Sequence, residues 1–166
     1  MSRKIVESYK AKLAGEEGYV VKHGASLRIA LCYPNTYGIG MANLGLHTMY
    51  ELFNKLPEVS CERVFLPDAA ELKEYEKSRT PLLSLETQTP VRDFDVVAFS
   101  ISFETDYLNM ARMLQLSGIP VWSKDRNHFH PLVIMGGAAS FLNPEPIAEF
   151  TDIIAVGEGE ILAYQL

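Results

Sequence analysis

The sequence predicts an open α/β fold with a parallel sheet, on three observations. Apolar runs of strand length alternate with amphipathic stretches from Leu27 onward. The third run, FDVVAFSIS (Phe94 to Ser102), is apolar almost throughout, as a central parallel strand covered by helices on both faces must be. Glycines and carboxylates gather just after the runs, in PNTYGIGMANLG, GGAAS and GEGE, where such a sheet presents its ligand edge.

Residues 1–26 read as an extension, with a helix over Ser2 to Leu13 and then a Gly-Glu-Glu turn. The sheet domain is expected over 27–166. Its first strand is LRIALCYP (Leu27 to Pro34). A glycine-rich loop leads into a helix from about Asn43 to Asn54, with Leu46, Met49, Tyr50 and Phe53 on one face at i, i+3, i+4, i+7. The second strand, CERVFLP (Cys61 to Pro67), precedes the polar helix DAAELKEYEKS, whose faces read as solvated apart from Leu72 and Tyr75. After the third strand, TDYLNMARMLQLSG is a helix with Thr105 as candidate N-cap. Its stripe is Tyr107, Met110, Ala111 and Leu114, and Gly118 is its stop. PLVIMGG (Pro131 to Gly137) is the fourth strand. An Asn-Pro-Glu-Pro segment and a one- or two-turn helix separate it from the fifth, Asp152 to Val156, and a last helix starts at Ile161. PLLSLETQTP reads as an extra strand or an extended loop, and IPVWSKDRNHFH as a short edge strand plus turn.

Five strands joined by right-handed crossovers give a flavodoxin-like (Rossmann-like), doubly wound, mainly parallel sheet of order 2-1-3-4-5 in three α/β/α layers. Ligands then belong beyond the carboxyl ends of the strands, at the switch between the first and the third.

Composition narrows the function classes. A net charge of -6 without a basic run leaves no footprint for a phosphate backbone, so nucleic acid is not expected as a partner. No apolar stretch approaches the roughly 20 residues that span a bilayer, and MSRKIVESYKAKL lacks the apolar core of a signal peptide. A cytoplasmic protein without membrane contact is expected. Cys32 and Cys61 lie far apart without metal-ligand spacing and read as small buried hydrophobes. His23, His47, His128 and His130 have neither a nucleophile elbow nor ligand spacing, so no catalytic or metal-binding residue is assigned.

Candidate binding residues come from the loops at the carboxyl edge. After strand one, Gly38, Gly40 and Gly45 permit close backbone approach, but their spacing puts Asn43 where the dinucleotide fingerprint needs glycine. After strand three stand Ser100, Ser102, Glu104 and Thr105, polar groups costly to bury without partners. After strand four, Gly136, Gly137 and Ala138 let a flat group lie on bare backbone. After strand five, Gly157 and Glu158 begin a turn in which Glu160 reads as a helix-capping carboxylate.

The ordered set of Gly136-Gly137, Asn143 to Pro146, Asp152 and Gly157 to Glu160 resembles the amino-terminal domain of cobalamin-binding-type radical S-adenosylmethionine proteins. CYPNTYGIGMANLGL, LPD and FDVVAFSISFE are similar to an uncharacterised, fused radical S-adenosylmethionine family of iron-sulfur oxidoreductases, over about Leu27 to Glu160. That resemblance implies a cobalamin-binding-like domain that ends before a barrel carrying a four-iron (4Fe-4S) cluster and S-adenosylmethionine, neither held by these residues. The barrel of the same polypeptide is then the expected partner, with self-association of the domain in isolation. The corrinoid DxHxxG pattern falls on Asn35 to Gly40, with Asn35 for the aspartate and Tyr37 for the histidine, so histidine ligation of cobalt is not implied. Ser100 fits the SxLxT pattern, whereas Ser102 and Glu104 depart from it, and Gly136 and Gly137 fit the glycine pair along the nucleotide tail. The implied role is an accessory domain of a radical enzyme that holds cobalamin. A vestigial fold docking on the barrel, its cleft filled by Tyr37, Phe103 or Met41, and a stand-alone small-ligand sensor are the alternatives.

Overall fold

The computed structural model describes residues 1–162 and contains one five-stranded parallel sheet of order β2-β1-β3-β4-β5. The strands are β1 (Leu27–Tyr33), β2 (Val59–Phe65), β3 (Val96–Ser100), β4 (Leu132–Gly136) and β5 (Ile153–Ile154). The flavodoxin-like order expected from the apolar runs is the order found. In register, Leu27 to Tyr33 of β1 face Val59 to Phe65 of β2 on one side, and Ile29 to Cys32 face Val96 to Phe99 of β3 on the other. β1 is therefore an interior strand next to the middle strand β3, and the chain reverses its winding between β1 and β3. β5 is shorter than its apolar run suggested, pairing with β4 only through Ile153 and Ile154.

The helices are α1 (Arg3–Ala14), α2 (Tyr37–Gly40), α3 (Leu44–Lys55), α4 (Ala69–Ser78), α5 (Tyr107–Ser117), α6 (Ala138–Leu142) and α7 (Gly159–Leu162). In α3, Asn43 is the N-cap and accepts the Leu46 N–H at 2.9 Å, while Leu46, Tyr50 and Phe53 are buried. At its other end Lys22 donates to the carbonyls of Asn54 and Leu56, filling acceptors that a helix terminus leaves open, and to that of Val59 at the start of β2. α5 stops at Gly118 in the left-handed conformation (φ 72°), as its position suggested.

Three expectations need correction. Thr105 does not cap α5: it sits inside a 3-10 turn, Glu104–Asp106, and Asp106 occupies the residue before the helix. The buried stripe of α5 runs through Met113 rather than Ala111, because Met113 fills the core. α4 is not solvated on its polar side. α1 lies against it, with Lys12 2.6 Å and Ser8 2.9 Å from Glu71, Ser2 2.7 Å from Glu74, and the Tyr75 and Tyr9 hydroxyls 2.9 Å apart.

The two ambiguous stretches are loops. PLLSLETQTP runs along the outer edge of β2: the Leu85 N–H donates to the Arg63 carbonyl at 2.8 Å, and the Glu86 carboxylate accepts the Arg63 N–H at 2.7 Å. This shields an edge that would otherwise expose unpaired backbone, and all seven residues of β2 are buried. IPVWSKDRNHFH holds a 3-10 turn, Ser123–Asp125, and is clamped by Arg126, which donates to the carbonyls of Pro120, Val121 and Phe150 and pairs with Asp152 at 2.9 Å.

Candidate functional site

A cleft of about 370 Å3 opens at the carboxyl edge, between α3 and the ends of β1, β3, β4 and β5. Its floor is Leu31, Ala98, Ser100, Ile134 and Gly136; Leu44, Gly45, Thr48, Met49 and Phe53 of α3 form one wall, and Gly157 and Gly159 close the far side. This is the place where an open α/β sheet with its winding reversed between β1 and β3 receives a ligand. The lining is mostly aliphatic, and Thr48 and Ser100 are its hydroxyl-bearing side chains.

Glycines make the floor possible, for different reasons. Gly137 has φ of 100°, and a Cβ there would stand 2.6 Å from the Ile101 carbonyl oxygen, so only glycine fits without moving backbone. At Gly136 a Cβ would meet only Ala155, at 3.7 Å. Its bareness is therefore not demanded by the fold, and it widens the cleft. Gly159 faces Met49: a Cβ would lie 2.6 Å from the sulfur, so a side chain there would require the Met49 thioether to move.

The residues read from sequence divide into two groups. Ser100, Gly136, Gly137 and Gly157 line the cleft. Ala138 follows as the first residue of α6, and Glu158 is exposed immediately before α7. Ser102 sits beside the mouth, where its hydroxyl accepts from Asn43 at 3.2 Å. Glu104 is exposed on the 3-10 turn and does not line the cleft.

The loop after β1 is built inward instead. Asn35 donates to Asp106 at 3.3 Å and its own side-chain oxygen accepts the Thr36 N–H at 2.9 Å. Tyr37 packs edge-on against Phe65 and donates its hydroxyl to Glu16 at 2.7 Å, away from the cleft. Burial, the hydrogen bond to Glu16 and that carboxylate's charge together push the Tyr37 phenol up to about 12. Gly40 is buried against Phe65, where a Cβ would collide with the ring at 2.3 Å, whereas Gly38 is exposed with nothing near it. Met41 receives Arg63 Nη1 on its sulfur at 3.3 Å, and Phe103 is 66% exposed. None of Tyr37, Met41 and Phe103 fills the cleft. His47 points its Nε2 at the Met41 carbonyl, 2.9 Å away.

Of the α3 wall only Gly45 stood among the glycines singled out in the sequence: Leu44 and Thr48 carry no motif, and Met49 and Phe53 read only as a sheet-packing face. The capping role considered for the Glu160 side chain, and the helix beyond Leu162, lie outside the described residues. Among the described residues no group of three His, Cys, Asp or Glu could hold a metal, and no helix is long and apolar enough to cross a membrane. Cys32 and Cys61 are free and buried, and burial pushes both thiols far up.

Fold and cleft together define a doubly wound α/β domain with a cleft at the carboxyl edge of its sheet. Residues 45–166 match the model of the N-terminal region of radical S-adenosylmethionine proteins, and the chain belongs to that family. It is also similar to the uncharacterized protein MJ0966 of Methanocaldococcus jannaschii, 24% identical over 132 residues. That match takes in 80% of this chain and 24% of the relative, so the chain spans about a quarter of the curated protein it resembles.

Proposed function

We propose that this accessory domain of a radical S-adenosylmethionine protein holds cobalamin, with the nucleotide tail in the carboxyl-edge cleft and no protein imidazole on cobalt. The observation that carries the reading is the glycine-floored, aliphatic cleft at the switch between β1 and β3. Its volume of about 370 Å3 falls within the roughly 300–1,000 Å3 of small-molecule sites. Gly136 and Gly157 leave room for a flat ring against backbone, Ser100 and Thr48 offer hydroxyls for its polar edges, and Glu104 is held clear of the floor. Tyr37, at the position of the usual histidine, is committed to Glu16 and Phe65, which fits a corrinoid held by its tail alone. The bound corrinoid would supply cobalt-centred chemistry; the residues here bind and orient it. In the whole protein, a following barrel with its 4Fe-4S cluster and S-adenosylmethionine would carry the radical step.

The test is retention of hydroxocobalamin after incubation and desalting, read from corrinoid absorbance. Near-equimolar retention, lost in Thr48→Trp because the indole occupies the cleft, is the expected result. Absence of retained corrinoid at micromolar protein and ligand would end the reading.

The docking alternative draws on a separate observation. Ile39, Leu44, Phe103, Leu108, Phe141, Leu142, Val156 and Ile161 are large apolar side chains left exposed, Leu44 by 80%. All sit on segments that follow strand carboxyl ends, and exposed apolar side chains at that end of the sheet support docking there. A barrel seated there would cover the cleft mouth. Protection of these segments from hydrogen exchange in the longer polypeptide, relative to the isolated domain, is the expected signature; equal exchange in both would refute docking.

A further inference from the structure

A second hollow, of about 270 Å3, lies toward the other end of the sheet, between the chain entering β1 and the segment that covers β2. Glu62 forms part of its lining and is only 3% exposed. Its Oε2 accepts three hydrogen bonds from neutral donors: Ser84 Oγ at 2.6 Å, Thr87 Oγ1 at 2.7 Å and the Thr87 N–H at 3.2 Å. Among the described residues Oε1 has no hydrogen-bond partner, and neither oxygen has a cation within ion-pair distance. The next residue on the strand solves the same problem internally, since Arg63 is paired with Glu86 and Glu16. Glu62 is thus a nearly buried carboxylate anchored through one oxygen, with the other turned to an opening, and such a group gains from a positive partner.

The surroundings select the partner. Ser60, Thr87 and Thr89 add hydroxyl oxygens, which suit N–H donors. No second carboxylate lines the hollow, so a divalent ion would find too few anionic ligands. Arg28 and His23 stand in the same lining and favour an anionic group at the other end of the ligand; Arg28 spends one N–H on the Asp93 carbonyl at 3.2 Å and lies on the Phe94 ring, keeping further donors, while Lys22 is occupied by three carbonyls. From this juxtaposition we infer that the hollow binds a small zwitterion of the amino-acid class, its ammonium on Glu62 Oε1 and its carboxylate toward Arg28. The site is independent of the carboxyl-edge cleft and of what occupies it.

Amide chemical shifts of the labelled protein, followed by NMR during titration with glycine, L-serine, methylammonium, acetate and potassium chloride, test this. Glycine or L-serine should give saturable shifts at Ser60, Glu62, Thr87 and Thr89, with acetate and potassium giving none. Glu62→Gln keeps an acceptor for Ser84 and Thr87 but loses the charge, and should weaken amino-acid binding about tenfold or more. Arg28→Gln, which leaves the carboxylate pocket whole, should weaken amino acids while sparing the methylammonium response. The assignment falls if neither amino acid gives a saturable shift, if acetate or potassium matches them, if methylammonium binds as tightly as glycine, or if folded Glu62→Gln binds as the parent does. Should Glu62→Gln not fold, the Arg28→Gln comparison decides alone.

Discussion

Glu86 meets Arg63 twice: Oε1 lies 2.7 Å from the guanidinium Nε and Oε2 accepts the Arg63 backbone N–H at 2.7 Å. One side chain therefore completes the outer ladder of β2 and neutralises a buried cation. Glu16, from the extension before β1, reaches Nη2 at 2.8 Å, and Tyr50 lies beneath the guanidinium. Burial raises the Glu86 carboxyl above its ordinary value, with Arg63 opposing that rise.

Removing Glu86 leaves the buried Arg63 with Glu16 as its remaining carboxylate partner and its backbone N–H unmet. Glu86→Ala should lower the unfolding free energy by about 3–5 kcal/mol, measured by denaturant titration. A loss under about 1 kcal/mol would mean that Glu16 alone satisfies Arg63.

Buried phenols shape the alkaline limb of stability: Tyr9, Tyr50 and Tyr107 are raised by burial, and so are two others. Tyr37 and Tyr75 are both raised from 10.0 to about 12, mainly by burial. A raised acid keeps its proton in the folded state after the unfolded chain has lost it. Their contribution is thus complete below about pH 10 and is lost as pH rises toward about 12. Thermal unfolding should fall across that window, and Tyr75→Phe should flatten the fall. An unchanged slope in that variant would remove Tyr75 from the explanation.

Gly137 and Gly38 should respond oppositely to alanine. Gly137→Ala forces a Cβ against the Ile101 backbone at φ of 100° and should cost about 1–3 kcal/mol. Gly38 lies in α2 with open space around it, so Gly38→Ala should be neutral or stabilising by roughly 0.5–1 kcal/mol through helix propensity. Paired melting curves of the two variants check both signs.

Asn43 holds three elements together. It caps α3, donates to Ser102 at 3.2 Å and reaches the Tyr33 hydroxyl at 3.4 Å. Asn43→Ala should cost about 1 kcal/mol from the cap, with Asn43→Ser recovering most of it. Equal losses in both would show that the contacts to Ser102 and Tyr33, rather than the cap, matter.

Strand order, the central position of FDVVAFSIS, the stop at Gly118 and the gathering of glycines at one edge were all legible in the chain itself. They follow from local periodicity and from the handedness of crossovers, neither of which depends on distant residues. Ser100, Gly136, Gly137 and Gly157 reach the cleft because strand alternation and strand ends fix their direction. Tertiary contact decided the rest. Tyr37 turns to Glu16, and Arg63 to Glu86 and Glu16, across sequence separations that carry no periodic signal. PLLSLETQTP became a cover for β2, rather than a strand, because its donors and carboxylates answer an edge formed elsewhere. A motif records the backbone it needs; the partner of a buried charge is known only once packing has chosen which polar groups lose water together.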